Sequence, residues 1–202
     1  MTMSRAVRIR EFGGPEAMRI EQVELPDPGV GEVTVRQTAI GFNFIDVYQR
    51  RGAYPLPLPT GLGHEAAGVV EAVGPGVADL RAGDRVVYMN AGIGAYADRR
   101  NLPADRLATL PASVSDEDAA AIFFKAMTAQ YLLRKTHRVA PGDLLLVHAA
   151  AGGVGQILCR WAKALGAEVV GTAGSAAKCE IARAAGADHA IDYSKPGWPE
   201  AM

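Results

Sequence analysis

Up to Pro111 the apolar residues fall in short alternating runs, each closed by proline or glycine. Ala6-Val7-Arg8-Ile9, Val33-Thr34-Val35-Arg36, Val69 to Val73 and Arg85 to Tyr88 are examples. Alternation puts one set of side chains on each face of an extended segment. Nine of the twelve prolines lie in residues 1–111 and punctuate these runs. The pattern predicts an irregular, β-rich domain built as a partly open barrel.

Beyond Pro111 the period changes. Ser115 is placed to cap a helix carrying Ala119, Ile122, Phe123, Ala126, Met127 and Gln130 at helical spacing, with acidic residues in its first turn. The boundary between the two textures lies near 111–125, and we divide the chain into 1–120 and 121–202. Leu144-Leu145-Leu146-Val147-His148 is a continuous apolar run that predicts a strand buried on both faces. A glycine turn follows, then Val154, Ile157, Leu158, Trp161, Ala162 and Leu165 form the stripe of an amphipathic helix ended by Gly166. Val169-Val170-Gly171 predicts a strand, 175–185 a helix capped by Ser175 and ended by Gly186, and His189 to Asp192 a third strand. The order β-α-β-α-β implies parallel pairing with right-handed crossovers, the first half of a doubly wound sheet. A dinucleotide fold has a second half of about three more strands. Ten residues, Tyr193 to Met202, follow the third strand. The missing half is therefore expected either from another chain or, as we favour, from the rest of a longer protein.

Composition narrows the class. The 202 residues are 49% hydrophobic and 21% charged, as in folded globular chains. Twenty-one basic residues against 22 acidic ones give a net charge of −1, which provides no general attraction for nucleic acid or an anionic membrane. Arg99-Arg100 and the run Arg134-Lys135-Thr136-His137-Arg138 are read as solvated faces. Cys159 and Cys179 are too few for a four-cysteine zinc site and are read as buried, inert thiols. The N-terminal residues show no apolar signal core, and the longest uncharged apolar stretch, Leu144 to Cys159, is short for a membrane span. A cytoplasmic protein is expected.

The chemistry concentrates in the glycine turn. Ala151, Gly152, Gly153, Val154 and Gly155 stand between a strand and a helix, where small residues let backbone N–H groups approach a pyrophosphate. An NAD site usually carries an acid at the end of the second strand. Here that stretch reads Gly171-Thr172-Ala173-Gly174-Ser175 with Lys178 one turn on. Hydroxyls, a helix N-terminus and an ammonium group suit an adenosine 2′-phosphate, so NADP(H) is the expected cofactor.

Gly63-His64-Glu65-Ala66-Ala67-Gly68 is the second conspicuous pattern. With the glycine turn, Asn43-Phe44-Ile45-Asp46-Val47-Tyr48, Arg51 to Pro55, Ala82 to Val86, Phe124 to Thr128 and Gly142 to Lys163, it resembles the zinc-independent quinone oxidoreductase (zeta-crystallin-like) branch of the medium-chain dehydrogenase/reductase superfamily. Arg160 stands where that branch usually has Gln. The resemblance implies a GroES-like catalytic domain beside a Rossmann domain, with the site in their cleft and about 60% of a member's length present. It implies NADPH-dependent reduction of a small quinone without flavin or metal, and a homodimer at full length. Enone or alkenal reduction, a non-catalytic crystallin-like NADPH binder and an inactive fragment are the alternatives.

The resemblance also implies residue roles. Asn43, Asp46 and Tyr48 would line the cleft near the nicotinamide and its ribose, and Tyr54 the quinone pocket. Lys125 and Thr128 would contact the cofactor, and Tyr193 its adenine side. Zinc-dependent cousins place a Cys near the position of Asn43 and a ligand His in the Gly-His-Glu motif. Here the Cys is replaced, and a catalytic zinc takes about three protein ligands. His64 and Glu65 alone can be nominated, so His64 is expected to be a hydrogen-bonded structural residue and the site metal-free.

Overall fold

The structure, a computed structural model, describes residues 2–198. The chain divides into two compact units, Met1–Phe124 and Lys125–Met202.

The first unit is built on antiparallel strands. β1 (Thr2–Ile9), β2 (Arg19–Leu25), β3 (Glu32–Gly41), a short helix α1 (Phe44–Arg50), β4 (Thr60–Gly61), β5 (Glu65–Val73), β6 (Arg85–Met89), β7 (Arg99–Pro103) and β8 (Leu107–Thr109) follow in order. They form a five-stranded sheet ordered β7-β3-β5-β6-β8 and a three-stranded sheet ordered β2-β1-β4. A bridge between Ala6 and Ala97 ties β1 to the segment before β7. Alternate residues Val33, Val35, Val70, Val86, Tyr88 and Leu102 turn inward and form the main core. The opposite face receives the start of α2 (Asp116–Tyr131), where Ala119 and Ala120 pack on Ala67 and Val87. Ser115 caps that helix through the Asp118 amide, 3.0 Å away. β2, β7 and β8 were not anticipated from sequence. They are short or edge strands with mixed exposure, whose alternation is too weak to stand out.

The second unit takes up the end of α2 and a π-helical turn, Leu132–Thr136. β9 (Leu144–Val147), α3 (Gly153–Ala164), β10 (Glu168–Ala173), α4 (Ala176–Ala184) and β11 (His189–Asp192) then alternate. The three strands are parallel in the order β11-β10-β9. Cys159 and Ala162 of α3 and Ala182 of α4 meet Val147 and Val169 in one core. The anticipated β-α-β-α-β order is thus observed, with Gly166 and Gly186 at positive φ ending the two helices. One detail differs. β9 was expected to be buried on both faces, yet Leu144 is 67% and Leu146 48% exposed. Successive same-handed crossovers put α3 and α4 on one side of the sheet, so the other side of β9 has no covering helix among the described residues.

Candidate functional site

The glycine turn opens α3 at the C-terminal end of β9. Ala149 takes a positive φ of 51°, and its carbonyl accepts the Gly152 amide at 2.8 Å. Gly152 is the N-cap and offers no side chain, so the first-turn amides of α3 have no side-chain cap. A Cβ on Gly155 would overlap the Ala149 carbonyl oxygen, which fixes glycine where the helix crosses the strand end. Ala151 is half-buried, Gly152 and Gly153 are exposed, and Gln156 Nε2 donates to the Ala151 carbonyl at 2.9 Å. The aliphatic stem of Lys125 lies against Gly153, whose Cβ would stand 2.9 Å from Lys125 Cδ. Two residues widely separated in sequence are thereby brought to one glycine turn. Thr128 lies half-buried a turn further along α2.

The end of β10 supplies the second half of this surface. Gly171 and Thr172 are buried, and the Thr172 hydroxyl is engaged by His148 Nδ1 at 3.0 Å. The Ser175 hydroxyl accepts the Lys178 amide at 3.3 Å as the cap of α4, and the Lys178 side chain is exposed. A hydroxyl that accepts still has its own proton to donate. Tyr193 follows β11 and stands over the β10–α4 turn, where a Cβ on Gly174 would lie 2.9 Å from its hydroxyl.

In the first unit, α1 gathers the other predicted residues. Asn43 is the N-cap, its amide donates to Asp46 Oδ2 at 2.9 Å, and the Asp46 amide returns a bond to the Asn43 carbonyl at 3.0 Å. Asp46 is buried, accepts the Tyr96 hydroxyl at 2.8 Å and borders an apolar cavity of about 520 Å³ lined by Ile20, Ile40, Phe42 and Leu62. Burial first, and then the bond to Asp46, push the Tyr96 phenol far above its usual range. Asp46 Oδ1 has no hydrogen-bond partner. Tyr48 and Tyr54 are exposed and meet edge to face at 5.3 Å, with Phe44 at 5.0 Å from Tyr48. Tyr96, Gln49 and Asn90 escaped the sequence reading. Nothing local marks them, because their partners lie up to 50 residues away.

His64 Nε2 lies 3.0 Å from Gln49 Oε1 and its Nδ1 3.2 Å from Asn90 Oδ1, while its ring stacks on Phe124 at 6.0 Å. Both nitrogens thus lie within hydrogen-bond distance of side-chain amide oxygens. Glu65 accepts from the Asn43 side-chain amide and from the Phe124 backbone amide, each at 2.8 Å. Among the described residues no three His, Cys, Asp or Glu side chains are grouped to hold a metal ion. These donors do not fit a catalytic zinc, which takes about three protein ligands.

Residues 29–112 match the alcohol dehydrogenase GroES-like domain, and residues 153–202 the family named zinc-binding dehydrogenase. The chain is 50% identical over 192 residues to quinone oxidoreductase 1 of Escherichia coli K12, covering 95% of this chain and 59% of that protein. It is 45% identical over 207 residues to a 2-haloacrylate reductase of Burkholderia sp., covering 99% of this chain and 62% of that protein. The crystal structure of E. coli quinone oxidoreductase complexed with NADPH superimposes with a TM-score of 0.95 at 49% identity, over 98% of this chain and 61% of that one. The chain therefore spans about three-fifths of the length of the curated relatives it matches. With residues 29–112 and 153–202 matching these two families and half of the aligned residues shared with a quinone oxidoreductase, the chain belongs to the medium-chain dehydrogenase/reductase superfamily, on its quinone oxidoreductase branch.

Proposed function

We propose that the protein is an NADPH-dependent reductase of small quinones, working without flavin or metal. The observation that carries this reading is 50% identity over 95% of the chain to a quinone oxidoreductase, beside a TM-score of 0.95 to a quinone oxidoreductase whose structure holds NADPH. The residues present fit that cofactor. The uncapped α3 N-terminus at Gly152 to Gly155, with Ala151 and Val154, would take the pyrophosphate. Lys125, whose stem already lies on Gly153, would add a positive charge there, and Thr128 a hydroxyl. Gly171 and Thr172 would set the floor of the adenosine side, Ser175 and Lys178 would hold the 2′-phosphate, and Tyr193 would pack on the adenine. Bound reduced nicotinamide would supply a hydride from its C4 atom. Asn43, Asp46 and Tyr48 would line the nicotinamide side and Tyr54 the acceptor side, where the edge-to-face rings offer aromatic surface to a planar quinone. A quinone is already a good hydride acceptor, so these groups mainly orient it.

The 2-haloacrylate reductase relative favours a second reading, reduction of a conjugated alkene. Stopped-flow loss of NADPH absorbance with a benzoquinone, repeated with a 2-haloacrylate, separates the two. We expect turnover with the quinone. Consumption with the haloacrylate alone would favour the second reading, and consumption with neither would leave a non-catalytic binder. From the family resemblance we also propose a cytoplasmic homodimer, which sedimentation of the full-length protein tests. No helix among the described residues is long and apolar enough to cross a membrane.

A further inference from the structure

Glu65 opens β5 and is fully buried. Its two carboxylate oxygens take different partners: Oε1 accepts from Asn43 Nδ2 and Oε2 from the Phe124 amide, each at 2.8 Å. Gly41 makes the room, since a Cβ there would fall on the Glu65 side chain and on the Ala120 carbonyl oxygen. Next to it, His64 fastens α1 from another direction through Gln49. The start of α1, the start of β5 and the middle of α2 therefore meet on one carboxylate.

Both partners are donors, which makes the group's chemistry specific. An ionised carboxylate accepts at both oxygens, and charge-assisted bonds offset its burial. A glutamine offers one acceptor and one donor, so either Asn43 or Phe124 would face an N–H. Aspartate is one methylene too short to reach as far. The side-chain amide of Asn43 has two orientations of similar shape, related by exchange of oxygen and nitrogen. Only the one with nitrogen toward Glu65 is compatible with a carboxylate there.

We infer that Glu65 is a positioning residue for the reductase reaction: without touching substrate, it holds the Asn43 amide in one orientation. This rests on the proposed function, in which Asn43 lines the nicotinamide side of the site. The test compares wild type with Glu65→Gln in the full-length protein, by NADPH–quinone kinetics and by the side-chain amide resonances of Asn43, assigned from their absence in Asn43→Ser. In Glu65→Gln we expect kcat to fall about 10- to 100-fold, as misplacement of an orienting group does, with the KM for NADPH nearly unchanged. The Asn43 amide protons should be shifted and protected from exchange in wild type and lose both properties in the variant. Full kcat in a folded Glu65→Gln overturns the inference. If that variant does not fold, wild type decides: protected Asn43 amide protons support the inference, and freely exchanging ones overturn it. A wild type that turns over no quinone instead refutes the proposed function.

Discussion

Lys178 tests the cofactor preference at the level of one side chain. The hydroxyl of Ser175 caps α4 through the Lys178 amide, and the Lys178 side chain is exposed in the same first turn. On the proposed reading, replacing it with alanine would remove one charge-assisted bond to a 2′-phosphate, about 1.5 kcal/mol or roughly tenfold in affinity. Lys178→Ala should therefore lose about that factor in NADPH-over-NADH preference in a titration. Undiminished preference would show that Lys178 is only a solvated helix residue. The Ser175 cap was legible in sequence because a cap and its first turn are local. The tie of Thr172 to His148 was not, because their 24-residue separation is closed only by strand pairing.

At the level of the element, two helix starts carry predictions. Gly155→Ala sets a methyl group against the Ala149 carbonyl, so α3 must shift from β9. Overpacking of this kind costs about 1–3 kcal/mol. Thermal melting should show that loss, and NADPH binding should weaken with it. A variant that melts and binds like wild type would remove the steric argument. At the start of α2, Asp116 accepts from Arg85 Nε at 3.0 Å and from Thr38 at 2.6 Å. Burial works against its charge, but the bonds from Thr38 and Arg85 outweigh burial and hold the carboxyl below the usual carboxylate range. A depressed folded value means the contribution is complete above the unfolded value, near pH 4, and is lost as pH falls through the folded one. Asp116→Asn should thus cost about 1–2 kcal/mol at neutral pH, and much less in strong acid. Denaturation curves from pH 7 to pH 3 check this, and a pH-independent difference would exclude the ion pair as its source.

For the molecule as a whole, the prediction concerns metal. The family name of residues 153–202 speaks of zinc, whereas His64 spends both ring nitrogens on Gln49 and Asn90. Prolonged treatment with a zinc chelator should leave quinone turnover unchanged, and metal analysis should find no stoichiometric zinc. Loss of activity restored by zinc would overturn that reading. Of the two basic runs expected to be solvated faces, residues 134–138 are exposed, whereas Arg99 and Arg100 are half-buried. Arg99 pairs with Glu71 at 2.6 Å, and Arg100 lies over the Tyr88 ring at 5.5 Å, so both are spent within the first unit.

The sequence by itself determined what depends on near neighbours along the chain. It showed the change from alternating strands to β-α-β-α-β, the glycine turn, the caps at Ser115 and Ser175 and the helix ends at Gly166 and Gly186. Hydrophobic period and turn chemistry act over a few residues, so they can be read directly. Only the tertiary structure decided which distant groups share a hydrogen bond. It joined Glu65 to Asn43 and Phe124, His64 to Gln49 and Asn90, and Asp46 to Tyr96, and it packed the Lys125 stem against Gly153. Among the described residues α3 and α4 cover one face of β9, and Leu144 and Leu146 lie on the other. Composition sets a strand's appetite for burial, but the hand of the crossovers sets which face is covered.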